Sequence, residues 1–175
     1  MEDVAREANV SRATLYRYFN NRLEIGNAVV EHSWAAKTKI WASLKAEEAS
    51  SVACVADWIS RLVNEAATNG LSRLIIEMSL AETEFLQKSH QYKIGLVHLL
   101  AQEIEAFAQT LTDPAHLARA YLLIDNLTMQ IVTMAQGLAA FPNDLITAHT
   151  AADFVRFVES ARYFDQGKAG QANNC

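Results

Sequence analysis

The fold of this chain is decided by the stretch VAREANVSRATLYRYF, residues 4–19. Apolar and small residues recur at helical spacing from Val4 to Ala8, which predicts a short amphipathic helix that stops at Asn9. Asn tolerates the left-handed backbone that ends a helix, and Ser11 can accept a hydrogen bond from the first N–H groups of a second helix. Two helices that meet across about three residues predict a helix-turn-helix unit.

The second helix has one inward and one outward face. Leu15 and Phe19 lie four residues apart and are predicted to face inward, while the other face carries arginine and small polar residues and no acid. Such a helix fits the DNA major groove, where its first turn reads base edges and its Arg and Tyr groups hold phosphates. The alternative is a basic helix end on an ordinary helical bundle. We expect DNA contacts from Ser11, Arg12, Ala13, Thr14, Tyr16, Arg17, Tyr18 and Arg22.

The stretch resembles the DNA-binding domain of the TetR family of one-component transcriptional regulators. The resemblance rests on the pattern Val-Ala-x-x-Ala-x-Val-Ser-x-x-Thr-Leu-Tyr-x-Tyr-Phe, followed by Asn-Asn-Arg-Leu-Glu at residues 20–24. Asn9 stands where the family usually has Gly, and Arg22 where it usually has Lys. Both departures are mild, because Asn can adopt the Gly conformation and Arg keeps the charge for a phosphate contact.

The family places one further helix before this motif, whereas this sequence begins at Met1, inside the family's second helix. We expect that the start was misplaced or trimmed. The alternative is a true absence of that helix, which would leave a helical ligand-binding dimer that no longer binds DNA.

The charge is divided unevenly along the chain. The net charge of the 175 residues is −5. Residues 1–45 hold seven basic and five acidic residues, a balance of +2, and the remaining 130 hold eight basic and fifteen acidic, a balance of −7. A local positive field on an acidic body suits phosphate contact by a small N-terminal module.

Composition excludes several classes of protein. A hydrophobic fraction of 51% with only 2 Pro predicts a folded, helical chain, and Cys54 and Cys175 are too few for a disulfide framework. No apolar run reaches membrane-spanning length and no signal-peptide core precedes residue 30, so a soluble cytoplasmic protein is expected. The five His residues form no metal pair and lie far from both Cys, which argues against an enzyme, a metal site or a cofactor.

The pattern predicts an all-α fold with three parts: a helix-turn-helix module with its connecting helix over residues 1–45, a helical effector-binding and dimerisation domain over 46–166, and a disordered tail over 167–175. The predicted helices of the body run from Arg22 to about Glu48, 52–69, 71–89 continuing through 90–111, 114–138 and 145–164.

The resemblance implies a function for the body. In the family the last two long helices pair with those of a second subunit, which here are 114–138 and 145–164, and Phe154 is expected in that interface. The homodimer would bind a palindromic operator in double-stranded DNA, as a repressor released by a small-molecule effector. Large or polar side chains on the helices between 51 and 138 are expected to line the effector site: Trp58, Met78, Phe85, Tyr92, Phe107, Tyr121, Asp125 and Met129.

Overall fold

All regular structure in the computed structural model, which describes residues 1–69 and 83–171, is helical. The all-α prediction is confirmed within those ranges. The elements are α1 (Glu2–Glu7), α2 (Arg12–Tyr18), α3 (Arg22–Trp41), α4 (Val52–Asn69), α5 (Thr83–Leu100), α6 (Glu105–Ala108), a 3-10 turn (Gln109–Leu111), α7 (Pro114–Ala135) and α8 (Asn143–Gln171). The predicted start of a helix at residue 71 lies outside the described residues.

The connecting helix α3 is shorter than its sequence pattern predicts. It ends at Trp41, not near Glu48, and the hydroxyl of Ser43 caps it by donating to the carbonyl of Ile40 at 2.7 Å. The following turns bury Leu44, an apolar residue that periodicity alone assigns to the helix. Burial of this side chain in the core decides where the helix stops, and a pattern of apolar spacing does not contain that information.

The second departure lies at the end of α5, where the sequence predicts helix as far as Leu111. The helix stops at Leu100, and Ile104 takes an extended conformation before the single turn of α6. This bend turns Phe107 into the core, where it is fully buried.

Helix α7 starts where the sequence predicts and ends earlier than predicted, and local signals set both ends. The carboxylate of Asp113 accepts a hydrogen bond from the N–H of Ala115 at 2.9 Å, and Pro114 is the first helical residue, so the predicted cap is confirmed. The helix then ends at Ala135 because Gly137 adopts a φ of +65°, and the N–H of Leu138 returns to the carbonyl of Thr133 at 2.9 Å.

The last helix is longer than predicted at both ends. α8 begins at Asn143 and continues to Gln171, so the backbone of residues 167–171 is helical where the sequence predicts a disordered tail. Residues 172–175 of that tail lie outside the described residues.

The core is built around α4, which packs against α3, α7 and α8. The indole of Trp58 lies edge-on to Trp41, with ring centroids 5.1 Å apart, and donates through Nε1 to the carbonyl of Ile40 at 2.9 Å. Phe154 of α8 contacts both Trp58 and Phe107, each at a centroid distance of 5.5 Å. Through these rings α4 packs against the end of α3 and against α8.

The position of Phe154 differs from the expectation of a subunit contact. Its side chain is 0% exposed in the single chain and lies in the middle of the core. The stripe of α8 that carries Phe154 is therefore buried within the single chain.

Candidate nucleic-acid interface and ligand cavity

The turn between α1 and α2 has the geometry that the sequence predicts. Asn9 adopts a φ of 52°, the left-handed conformation, and is the one non-glycine residue with positive φ among those described. The N–H of Val10 bonds back to the carbonyl of Ala5 at 3.0 Å, which closes the end of α1. The Asn that replaces the family's usual Gly therefore takes the expected backbone conformation.

Ser11 begins the second helix as its cap. Its hydroxyl accepts a hydrogen bond from the N–H of Thr14 at 3.0 Å and lies 2.8 Å from the hydroxyl of Thr14. Leu15, one turn into α2, is buried, as is Ala5 of α1. The cap and these two inward side chains fix the direction in which α2 leaves the turn.

The residues predicted to contact DNA share the outward side of this unit. Tyr18 is the most open aromatic among them at 70% exposure, and Tyr16 is exposed as well. Seven of the eight are exposed, and Thr14 is half-buried because its hydroxyl faces Ser11. The exposed members are Ser11, Arg12, Ala13, Tyr16, Arg17, Tyr18 and Arg22.

The carboxylate of Glu2, in α1, lies against the basic face of α2, and the sequence of α2 alone does not show this. Glu2 accepts from the guanidinium of Arg12 at 3.3 Å, and both side chains are largely in solvent. An exposed pair of this kind contributes little to stability, about 0–1 kcal/mol. Arg12 can therefore exchange Glu2 for a phosphate at small cost.

The junction between α2 and α3 carries a reciprocal cap that sequence inspection missed. Asn21 accepts from the N–H of Glu24 at 2.9 Å, and the Glu24 carboxylate accepts from the backbone N–H and the side-chain amide of Asn20, at 2.7 and 3.0 Å. These hydrogen bonds from Asn20 lower the pKa of Glu24. An Asn-x-x-Glu spacing ahead of a helix is the signal that identifies such a cap. It holds Arg22, the first residue of α3, close to the end of α2.

Comparison with known families addresses this N-terminal unit. Residues 1–29, which span α1, α2 and the first turns of α3, match the family described as bacterial regulatory proteins, tetR family. Residues 1–29 thus match part of the DNA-binding module of this family. That family consists of DNA-binding transcription regulators. No curated protein and no solved structure matches the chain.

A cavity of about 130 Å³ lies between the helices α3, α4, α5 and α7. Its wall is mostly apolar, with charged and hydroxyl groups contributed by each of the four helices. The lining side chains are Val30, Lys37, Trp41, Leu62, Glu65, Ala66, Phe85, Ser89, Tyr92, Lys93, Leu96, Thr128, Ile131 and Val132. Apolar walls with a few polar groups are typical of the lining of small-molecule sites.

Two of the residues predicted to bind the effector, Phe85 and Tyr92, line this cavity. Asp125 is connected to it through an ion pair with Lys93, which is a lining residue. Tyr121 lies on the neighbouring turn of α7 and hydrogen-bonds His90 of α5.

The remaining predicted residues lie elsewhere. Trp58 and Phe107 are fully buried in the core and are not among the lining residues. Met129 is exposed on the outer side of α7, and Met78 lies outside the described residues. Size and helix membership, the criteria used to choose them, do not specify the direction in which a side chain points.

The charged groups of the cavity differ in how far a nearby opposite charge offsets the cost of their burial. Lys93 is ion-paired with Asp125. Burial lowers the pKa of Lys37, and the attraction of Glu65 offsets only part of that effect. Burial also raises the pKa of Tyr92, with repulsion from Glu31 as a smaller cause.

Sequence reasoning missed Lys37 although a signal was present. It lies seven residues after Val30 and four before Trp41, two buried residues of α3, so it shares their stripe. A cation at an inward position of an amphipathic helix is uncommon unless it has a partner or a function.

Within residues 1–69 and 83–171, every helix is too short or too polar to cross a membrane.

Proposed function

We propose that the chain is a homodimeric transcriptional repressor that binds a palindromic operator and is released when a small molecule occupies the cavity. The proposal is carried by one observation: α3 belongs to both sites. It begins at Arg22, beside the recognition helix α2, and its second half supplies Lys37 and Trp41 to the cavity wall.

The geometry of α3 supports transmission between these sites. Arg22 and Lys37 are fifteen residues apart in one helix, a distance of about 22 Å at 1.5 Å per residue. Val30, between them, packs on Phe85 of α5, another lining residue. A ligand that alters the separation of α3 and α5 would therefore also move the DNA-binding module.

The mechanism is a shift between two arrangements of the modules. A ligand changes operator affinity by the ratio of its own affinities for the two states. Coupling of this kind typically amounts to about 1–3 kcal/mol, or roughly 5- to 150-fold in operator affinity.

Exposed apolar side chains on α7, α8 and the loop between them support the homodimer. Leu122 is 63% and Leu138 is 75% exposed, and neither contributes to the core of the single chain. Other large apolar side chains exposed in the same region are Met129, Phe141 and Leu145. A two-fold axis through this region would present two α2 helices to successive major grooves, about 34 Å apart.

DNA binding is tested by fluorescence anisotropy with the full-length protein and DNA that flanks its gene, over a range of salt concentrations. Arg17→Ala should weaken binding and reduce the slope of log K against log salt by about one, because one phosphate contact is lost. Arg119→Ala removes the same charge from an exposed position on α7 and is the matched control. Equal, salt-insensitive binding by all three proteins would refute the assignment of this face to DNA.

The homodimer is tested by sedimentation. The unmutated protein should sediment as a dimer, and Leu122→Glu should convert it to a folded monomer because a charge is buried in the interface. A monomeric unmutated protein would rule out two-fold operator binding by the free protein.

A further inference from the structure

The cavity described above limits the size and polarity of its ligand. An apolar protein cavity of roughly 150 Å³ can hold one benzene molecule, and the volume here is about 130 Å³. Phe85, Leu96 and Ile131 give it apolar walls from two helices. A single ring or a short branched chain fills such a space.

The polar side of the ligand is set by the charge that the described residues compensate only in part. Lys93 already has Asp125 as its partner. For Lys37, by contrast, no ion pair or hydrogen bond is seen among the described residues, although its side chain lines the cavity. Glu65, on the facing helix α4, attracts the ammonium group but does not offset the cost of its burial.

From this juxtaposition we infer that the cavity binds a small monocyclic or short-chain carboxylate, with the ring or chain against Phe85 and Ile131 and the carboxylate on the ammonium group of Lys37. The inference rests on the proposed role of the cavity as the effector site. A carboxylate would place a negative charge beside the ammonium group of Lys37 and so offset the cost of burying that group. A charge-assisted hydrogen bond is about twice as strong as a neutral one. Ser89 contributes a nearby hydroxyl that can donate to the second carboxylate oxygen.

The opposite assignment is a cationic ligand held by Glu65. A cation would add a third positive charge beside Lys37 and Lys93, whereas Glu65 is the single carboxylate among the described lining residues. Like charges close together in a partly buried site are mutually destabilising. The charges of the wall therefore favour an anion.

The test compares three ligands of nearly equal size and different charge: benzoate, benzamide and benzylammonium. Isothermal titration calorimetry on the full-length protein should show benzoate binding at least tenfold more tightly than the other two. Lys37→Met should lower benzoate affinity about tenfold or more and change benzamide affinity less than twofold. Lys39→Met, which removes an exposed lysine from the same helix, is the matched control and should leave both affinities unchanged.

Three results would overturn the inference: benzamide or benzylammonium binding as tightly as benzoate, benzoate affinity unchanged in Lys37→Met, or no binding of any of the three at millimolar concentration. The ranking in the unmutated protein decides the matter even if the Lys37 variant does not fold.

Operator affinity, measured on the same samples with and without benzoate, separates this inference from the proposed function. Intact operator binding without a preference for the anion refutes the ligand class alone. Lys37-dependent benzoate binding that leaves operator affinity unchanged refutes the effector role and keeps the ligand class.

Discussion

Phe154→Ala provides a direct test of the core of this protein, because the sequence pattern and the structure predict different outcomes. If the side chain lay in a subunit interface, truncation would weaken association. In the structure it is fully buried within one chain, between Trp58 and Phe107. Truncation should therefore weaken the fold itself.

The magnitude follows from the contacts of the ring. Burial of a Phe side chain contributes about 1.5–3 kcal/mol, and each of the two aromatic pairs adds about 0.5–1.5 kcal/mol. The rigid helices around the site limit collapse of the cavity that remains, so the expected loss is about 3–5 kcal/mol in the free energy of unfolding. For a chain of this length, that loss corresponds to a decrease of about 6–20 °C in Tm.

The assay is urea unfolding followed by circular dichroism, at one fixed protein concentration because the proposed dimerisation would couple to stability. Leu86→Ala is the control, since this exposed side chain of α5 lies outside the core and outside the proposed interface, and its truncation should change the free energy of unfolding little. A Phe154→Ala loss below about 1 kcal/mol, or a loss confined to the dissociation constant of the dimer, would refute the placement of this ring.

Three further outcomes are expected. Ser11→Ala removes the cap of α2 and should cost about 0.5–2 kcal/mol locally, seen as faster amide hydrogen exchange in α2 with the exchange of α4 unchanged. Glu24, whose pKa is lowered by hydrogen bonds from Asn20, contributes stability that is present above its ordinary pKa of 4.5 and is lost as the pH falls through its lower folded value; NMR titration of the carboxyl below 4.5 checks this. Lys37→Met should raise Tm at neutral pH because it removes a buried cation, and Lys39→Met should not; a lower Tm for Lys37→Met would contradict incomplete compensation of that charge.

The N-terminal module could be predicted from sequence because its determinants are local. The conformation of Asn9 and the cap by Ser11 each depend on residues within about three positions of one another, and the same holds for the cap by Asp113 at the start of α7. Residue chemistry over such a span specifies the hydrogen bonds directly. The cap by Glu24 depends on equally local residues.

The cavity and the helix ends of the body could be predicted only in part, because they depend on contacts between distant segments. Trp41 and Trp58 look equivalent as large residues on amphipathic helices, yet Trp41 lines the cavity and Trp58 fills the core. Similarly, the end of α3 follows from the burial of Leu44 against other helices. Periodicity shows that a side chain faces inward and does not show what it will meet there.

The position of Trp41 has a practical consequence. Its indole forms part of the cavity wall and lies edge-on to the indole of Trp58, which is fully buried in the core. The emission of an indole depends on the polarity of its surroundings, so a ligand in the cavity would change the light emitted by Trp41. If the proposed ligand binds there, the intrinsic fluorescence of the protein would report its arrival without an added label.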